Sequence, residues 1–177
     1  MVNCYLIQVL TGKEEVYIKH AYKLASIHEF PCKLILPRRE LTIRKQGKRS
    51  TSIKPVFPGY VFWETDHPHP DVRQMLRRTP GFIRLIKDEH GVLLPLTDDD
   101  RRIISSITSD GEIARKSLVY FDKNNRVRVL KGPLKGEEGS IIKVDRRKRR
   151  VTVQINLYDK RFKIAFEYEE VEKKKDS

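Results

Sequence analysis

Residues 151–157, VTVQINL, and 161–166, RFKIAF, place an apolar side chain on every second position, with only a tight polar break between them. Alternation at period two fits a pair of half-buried strands and is incompatible with an amphipathic helix. Shorter strand signals share the region: NRVRV at 125–129, IIKV at 141–144 and YEEVE at 168–172, with Gly132, Pro133, Gly136 and Gly139 marking a turn-rich segment between the first two. Five short strands beyond residue 118 predict a small barrel, since a flat sheet of that size would leave an edge and an apolar face in water.

The preceding part has a different rhythm. CYLIQVL (4–10) reads as a strand, and the segment after it places Val16, Ala21, Leu24, Ala25 and Ile27 at roughly helical spacing, with Thr11 as the expected cap. Two strand-like runs, KLILPRRELTIRK (33–45) and KPVFPGYVFWE (54–64), flank the polar, basic QGKRSTS (46–52), which reads as the long mobile tip of a hairpin. A short helix starting near Pro70, the strand GFIRLIK (81–87) and a helix introduced by TDDD with Thr97 as cap complete the series. Strand, helix, strand, strand, helix, strand is the order of a split βαβ, ferredoxin-like sandwich. The chain is thus expected to be α+β: a ferredoxin-like domain over 1–108, a flexible linker over 109–118 and a small all-β, SH3-like barrel over 119–177.

Charge separates the two parts further. The chain carries a formal +13, and residues 119–177 hold 17 basic against 10 acidic side chains, about twice the charge density of residues 1–108. Such a balance favours an anionic polymer over a small metabolite as partner. It is concentrated at Arg146, Arg147, Lys148, Arg149 and Arg150, five like charges that repel one another unless solvent or an anion meets them. Arginine in a tight bend suits a phosphate backbone, which it can grip bidentately while stacking on bases.

Other classes find little support. No apolar run approaches a membrane span and no signal-peptide pattern opens the chain, so a cytoplasmic protein with no membrane partner is expected. Cys4 and Cys32 lack zinc-ligand spacing and read as reduced, buried thiols. His67 and His69, in HPHPD, have no accompanying Cys or carboxylate set, so neither a metal nor any other cofactor is expected. No phosphate loop or nucleophile elbow is present, and TDDD is a charged helix start; the chain is not read as an enzyme. Phe57, Tyr60 and Phe62 crowd one short run, and strand alternation predicts that at least one of them is exposed.

Two blocks carry a family resemblance. KPVFPGYVFW (54–63) resembles the phenylalanine-proline-glycine-tyrosine core of the N-terminal domain of NusG transcription elongation factors, and NRVRVLKGPLKGEEGSIIKVD (125–145) is similar to the KOW motif. CYLIQVLTGKEE, RRTPGFIRL and PLTDDD fall in the same order as in that family. The resemblance implies a bacterial factor, expected as a monomer, that grips the clamp helices of RNA polymerase through a groove formed by Phe57, Pro58, Tyr60 and Phe82, a helix-in-groove contact. It implies nascent RNA, with a hairpin as the candidate form, as the barrel's ligand, with Tyr158, Lys160 and Arg161 joining the basic run, and upstream or non-template DNA as a candidate contact of the 46–52 tip.

Departures point to a specialised paralogue of the LoaP antiterminator type. The family usually has tryptophan where Cys4 stands and an aromatic where Lys13 stands. Leu157, Tyr158, Asp159 and Lys160 replace an isoleucine-phenylalanine-glycine-arginine turn through which the general factor meets termination factor Rho or the ribosome. The alternatives left by the sequence are that general coupling factor and a ribosomal KOW-type protein.

Overall fold

The structure is a computed structural model and describes residues 1–108 and 111–172. Residues 109–110 of the expected linker and 173–177 of the expected barrel domain lie outside the described residues. The chain divides into two compact units, Met1–Leu36 with Phe57–Arg101, and Pro37–Val56 with Arg102–Ser177.

In the first unit, β1 (Asn3–Val9), β2 (Lys33–Ile35), β5 (Tyr60–Thr65) and β6 (Phe82–Leu85) form one antiparallel sheet in the order β2-β5-β1-β6. With α1 (Glu14–Ile27) and α2 (Pro70–Arg78) this is the ferredoxin-like order expected from the sequence. Alternation along β1 sends Tyr5, Ile7 and Val9 to the helix face, where they join Val61, Trp63, Tyr17, Ala21, Met75 and Leu76 in one core. The Tyr17 hydroxyl, buried there, donates to the Leu76 carbonyl at 2.9 Å. Two expectations about α1 are corrected. Val16 and Ile27 are exposed, because the buried stripe runs through Tyr17, Ala21 and Ala25 instead; and Lys13 rather than Thr11 occupies the cap position, with no side-chain cap bond. Thr97 does cap α3 (Asp98–Thr108), accepting from the Asp100 N–H at 3.2 Å.

The two long strands read around residues 33–64 are each broken in the structure. Pro37 separates β2 from β3 (Arg38–Lys45), and the Phe57–Gly59 turn separates β4 (Lys48–Pro55) from β5. β3 and β4 pair to their ends, Lys45 opposite Lys48, and Gln46-Gly47 makes a two-residue turn with φ of 50° and 75°. The long mobile tip is therefore a correction: residues 48–52 are ladder, because a turn with both central residues at positive φ matches strand twist and needs no further chain.

The second unit holds this hairpin and a five-stranded sheet ordered β10-β11-β12-β8-β9: β8 (Ser117–Phe121), β9 (Val127–Lys131), β10 (Ile141–Asp145), β11 (Arg150–Leu157) and β12 (Lys160–Glu170). Val127, Val129, Val151, Val153, Ile155, Leu157, Ile164 and Phe166 are buried in it at the alternate positions read from the sequence, whereas two details are corrected: the fifth strand is β8, with Val119 buried, and residues 168–170 continue β12 instead of forming a strand of their own. Gly132 turns with φ +106°, and a Cβ there would stand 2.7 Å from Ser117 Cα, so only glycine lets the two segments pass. Part of the expected linker is strand: β7 (Ile113–Ala114) adds to β3 in parallel, and β8 already begins at Ser117.

Candidate functional site

Two regions carry the residues singled out above. In the first unit the 57–60 turn is held by a buried carboxylate. Glu14, 3% exposed, accepts from the Gly59 N–H at 2.7 Å and the Gly12 N–H at 3.1 Å, joining the start of α1 to the turn. Gly59 sits at φ +83°, where a Cβ would meet Thr11 Oγ1 at 2.8 Å. The sequence reading missed Glu14; its signal was the pairing of TGKEE with FPGY, two glycine turns that need an acceptor between them.

This geometry redistributes the four aromatic-groove candidates. Phe57 and Tyr60 are 1% and 7% exposed, and Phe62 is fully buried, so the expectation of an exposed aromatic among them is overturned. Phe57 lies in the turn rather than in the strand, and its ring meets Phe62 edge-on with centroids 5.6 Å apart. Tyr60 pairs with Gln8, whereas Phe82 pairs with Val9 beyond a bulge and packs on the helix-side core. The sheet thus separates Tyr60 and Phe82 onto opposite faces, and they do not line one groove. Pro58 is exposed. Backbone bonds from Val9 N–H to Gly59 O and from Leu10 N–H to Gly81 O bring this turn and the 81–83 segment to the same end of β1, where Leu10 and Ile83 are also exposed.

His69 caps α2 by accepting from the Asp71 N–H at 3.2 Å, and among the described residues no three metal-ligating side chains converge. Burial pushes the Cys4 thiol up to about 12 and that of Cys32 to about 11, so neither is a ready nucleophile.

In the second unit the five basic residues divide by role. Residues 146–149 form the turn between β10 and β11; Lys148 N–H donates to Asp145 Oδ1 at 2.9 Å and Arg149 adopts φ +52°. Arg146 lies over the Phe121 ring, its Cζ 3.8 Å from the centroid, and donates to Asn125 Oδ1 at 3.2 Å. Arg150 turns the other way: it donates to the Thr42 carbonyl on β3 at 2.7 Å and lies 3.6 Å from Glu167. Arg147, Lys148 and Arg149 remain projecting into solvent.

Glu167, 5% exposed, is the centre of that junction. It accepts from the Thr42 N–H and from Thr42 Oγ1 at 2.9 Å, and Lys116 approaches it to 3.8 Å. Tyr158 and Asp159 form the two-residue turn at the far end of β11, with Lys160 and Arg161 opening β12. Arg150 opens the eight-residue β11 and Tyr158 follows its last residue, a separation of about 26 Å at 3.3 Å per residue. The structure therefore does not unite the basic run with Tyr158, Lys160 and Arg161 at one point; the eight residues mark the two ends of one strand pair.

The comparisons with known proteins decide the family. A sequence model described as Transcription termination factor nusG matches residues 3–105, and the KOW motif matches residues 123–156. The chain belongs to the NusG family. Its relatives include the Transcription termination/antitermination protein NusG of Bacillus subtilis (strain 168), 26% identical over 97% of this chain and 98% of that protein. The protein of the same name from Thermus thermophilus is 23% identical over the same shares. A solved structure titled "Domain interaction in Thermotoga maritima NusG" shares the fold with a TM-score of 0.62 at 19% identity, covering 94% of each chain. A NusG model spanning the first part removes the ribosomal-protein alternative, which a KOW motif alone had left open. NusG proteins are transcription termination and antitermination factors rather than enzymes, and no helix among the described residues is long and apolar enough to cross a membrane.

Proposed function

We propose that this NusG-type factor is a specialised antiterminator of the LoaP type: it binds RNA polymerase through its N-terminal part and nascent RNA, as a structured hairpin, through its basic KOW part. By holding polymerase in the processive state it would shift the population away from the states that pausing and termination require. The observation that carries the RNA reading is the division of the basic run. Arg146 and Arg150 are used internally, yet they brace a turn that presents Arg147, Lys148 and Arg149 outward, three charges whose mutual repulsion serves no fold.

For polymerase, exposed Pro58 with Leu10 and Ile83 supplies the accessible apolar patch, and Phe57 and Tyr60 support the turn that presents it. The general-factor reading is less well supported. It needs Leu157 and Tyr158 at a protein contact, and Leu157 is fully buried while Tyr158 is held in a left-handed turn.

The test is capture of core RNA polymerase and of an RNA stem-loop by the same purified chain. Pro58→Asp is expected to abolish polymerase capture and leave RNA binding intact, and Arg147→Ala with Arg149→Ala to do the reverse. Loss of both activities in either variant, or RNA binding unchanged by the arginine pair, would overturn the reading.

A further inference from the structure

The β3–β4 hairpin carries a charge pattern that folding alone does not explain. Arg44 stands directly opposite Arg49 and Lys45 opposite Lys48, all four exposed, and residues 41–54 contain no acidic side chain. Like charges facing each other across a ladder destabilise it. An exposed edge can be protected by one lysine; two opposed pairs of cations, one on each face of the hairpin's end, exceed that need.

The hairpin also has a fixed place within its unit. Thr42 is tied to the buried Glu167 and to Arg150, a junction of two hydrogen bonds to the carboxylate and one from the guanidinium. Arg44 and Arg49 lie one pleat beyond Thr42 on the same face of the hairpin. On the barrel side, Arg147, Lys148 and Arg149 begin one residue beyond Arg150. The hairpin cations and the turn cations therefore both start within about 10 Å of one junction along their strands. Arg39 stands at the base of the hairpin, its Nε and Nη1 buried without an acceptor. Burial and then the neighbouring Arg150 hold its pKa below the usual guanidinium range, a sign of how closely cations are packed at this junction.

We propose that the β3–β4 hairpin is the second arm of an RNA-binding surface, gripping the backbone of the same structured RNA that the 146–149 turn engages. Arg44, Lys45, Lys48 and Arg49 supply its phosphate contacts, and Glu167 is the positioning residue that fixes this arm to the barrel. The inference rests on the reading that the barrel turn binds RNA.

Filter binding of the full chain to an RNA stem-loop and to a DNA stem-loop of the same sequence, across a salt series, separates the two claims. Each phosphate contact contributes roughly 0.7–0.9 to the log-log salt slope. Lys45→Ala with Arg49→Ala removes one member of each opposed pair, so the fold is kept, and is expected to lower the RNA slope by about one and a half units. Arg147→Ala with Arg149→Ala is expected to do the same, and the two effects to add. A slope lowered by the turn pair and untouched by the hairpin pair overturns the second arm alone. A slope that neither pair changes overturns the RNA reading beneath it. A hairpin effect seen on the DNA stem-loop and absent on RNA also overturns the second arm.

Discussion

Among the described residues each unit buries one glutamate, and the two find their partners in opposite ways. Glu14 meets only backbone N–H groups, from Gly12 and Gly59, and organises a turn inside one sheet. Glu167 meets Thr42, Arg150 and Lys116, and joins segments 125 residues apart in the chain. The first arrangement builds local shape with oriented peptide dipoles. The second confines cations that would otherwise repel each other, and so permits a higher density of positive charge around it than a neutral junction could hold.

The largest way to break this comparison is Glu167→Ala. It leaves Thr42 without its carboxylate partner, Arg150 with only the Thr42 carbonyl and Lys116 without a counter-charge, and the expected loss is about 2–4 kcal/mol of unfolding free energy. Denaturant melts measure the total, and hydrogen exchange should show β3 and β4 losing protection first, since the hairpin opens more readily once its anchor is gone. Glu14→Ala leaves two glycine N–H groups without an acceptor and no stranded charge, so a smaller loss of about 1–3 kcal/mol is expected, confined to the 57–60 turn and the start of α1. Equal losses in the two variants would erase the distinction.

The difference in how the two regions could be read from sequence has a physical basis. The ferredoxin-like order and the alternating barrel strands were legible because period and turn residues are local properties. The body to which the β3–β4 hairpin packs was not, since alternation in RRELTIRK is the same against any sheet; its partner, Glu167, is recognisable only once β12 is in place. The division of Tyr60 and Phe82 between the two faces of the sheet was illegible for a related reason. A bulge between Gln8 and Val9 decides which face Phe82 takes, and no residue in RRTPGFIRL announces it. The five-arginine-and-lysine run was legible as a turn, while its division into braced ends and a free centre depended on Phe121 and Thr42.

A smaller effect sharpens the same contrast with opposite sign. Arg44→Thr or Lys48→Thr removes one of two opposed cations and should raise stability by about 0.2–1 kcal/mol while weakening RNA binding. A stabilised variant with unaltered RNA affinity would make the hairpin's charge an accident of its surface.

The central claim, that this NusG-family chain lets polymerase pass terminators when its barrel holds RNA, is tested most directly by multi-round transcription in vitro. The template carries a structured leader followed by an intrinsic terminator. The account predicts read-through that rises with added protein, requires the leader hairpin, and is lost on Arg147→Ala with Arg149→Ala while polymerase binding persists. Read-through that is the same without the leader hairpin, or unchanged in the arginine variant, would contradict it.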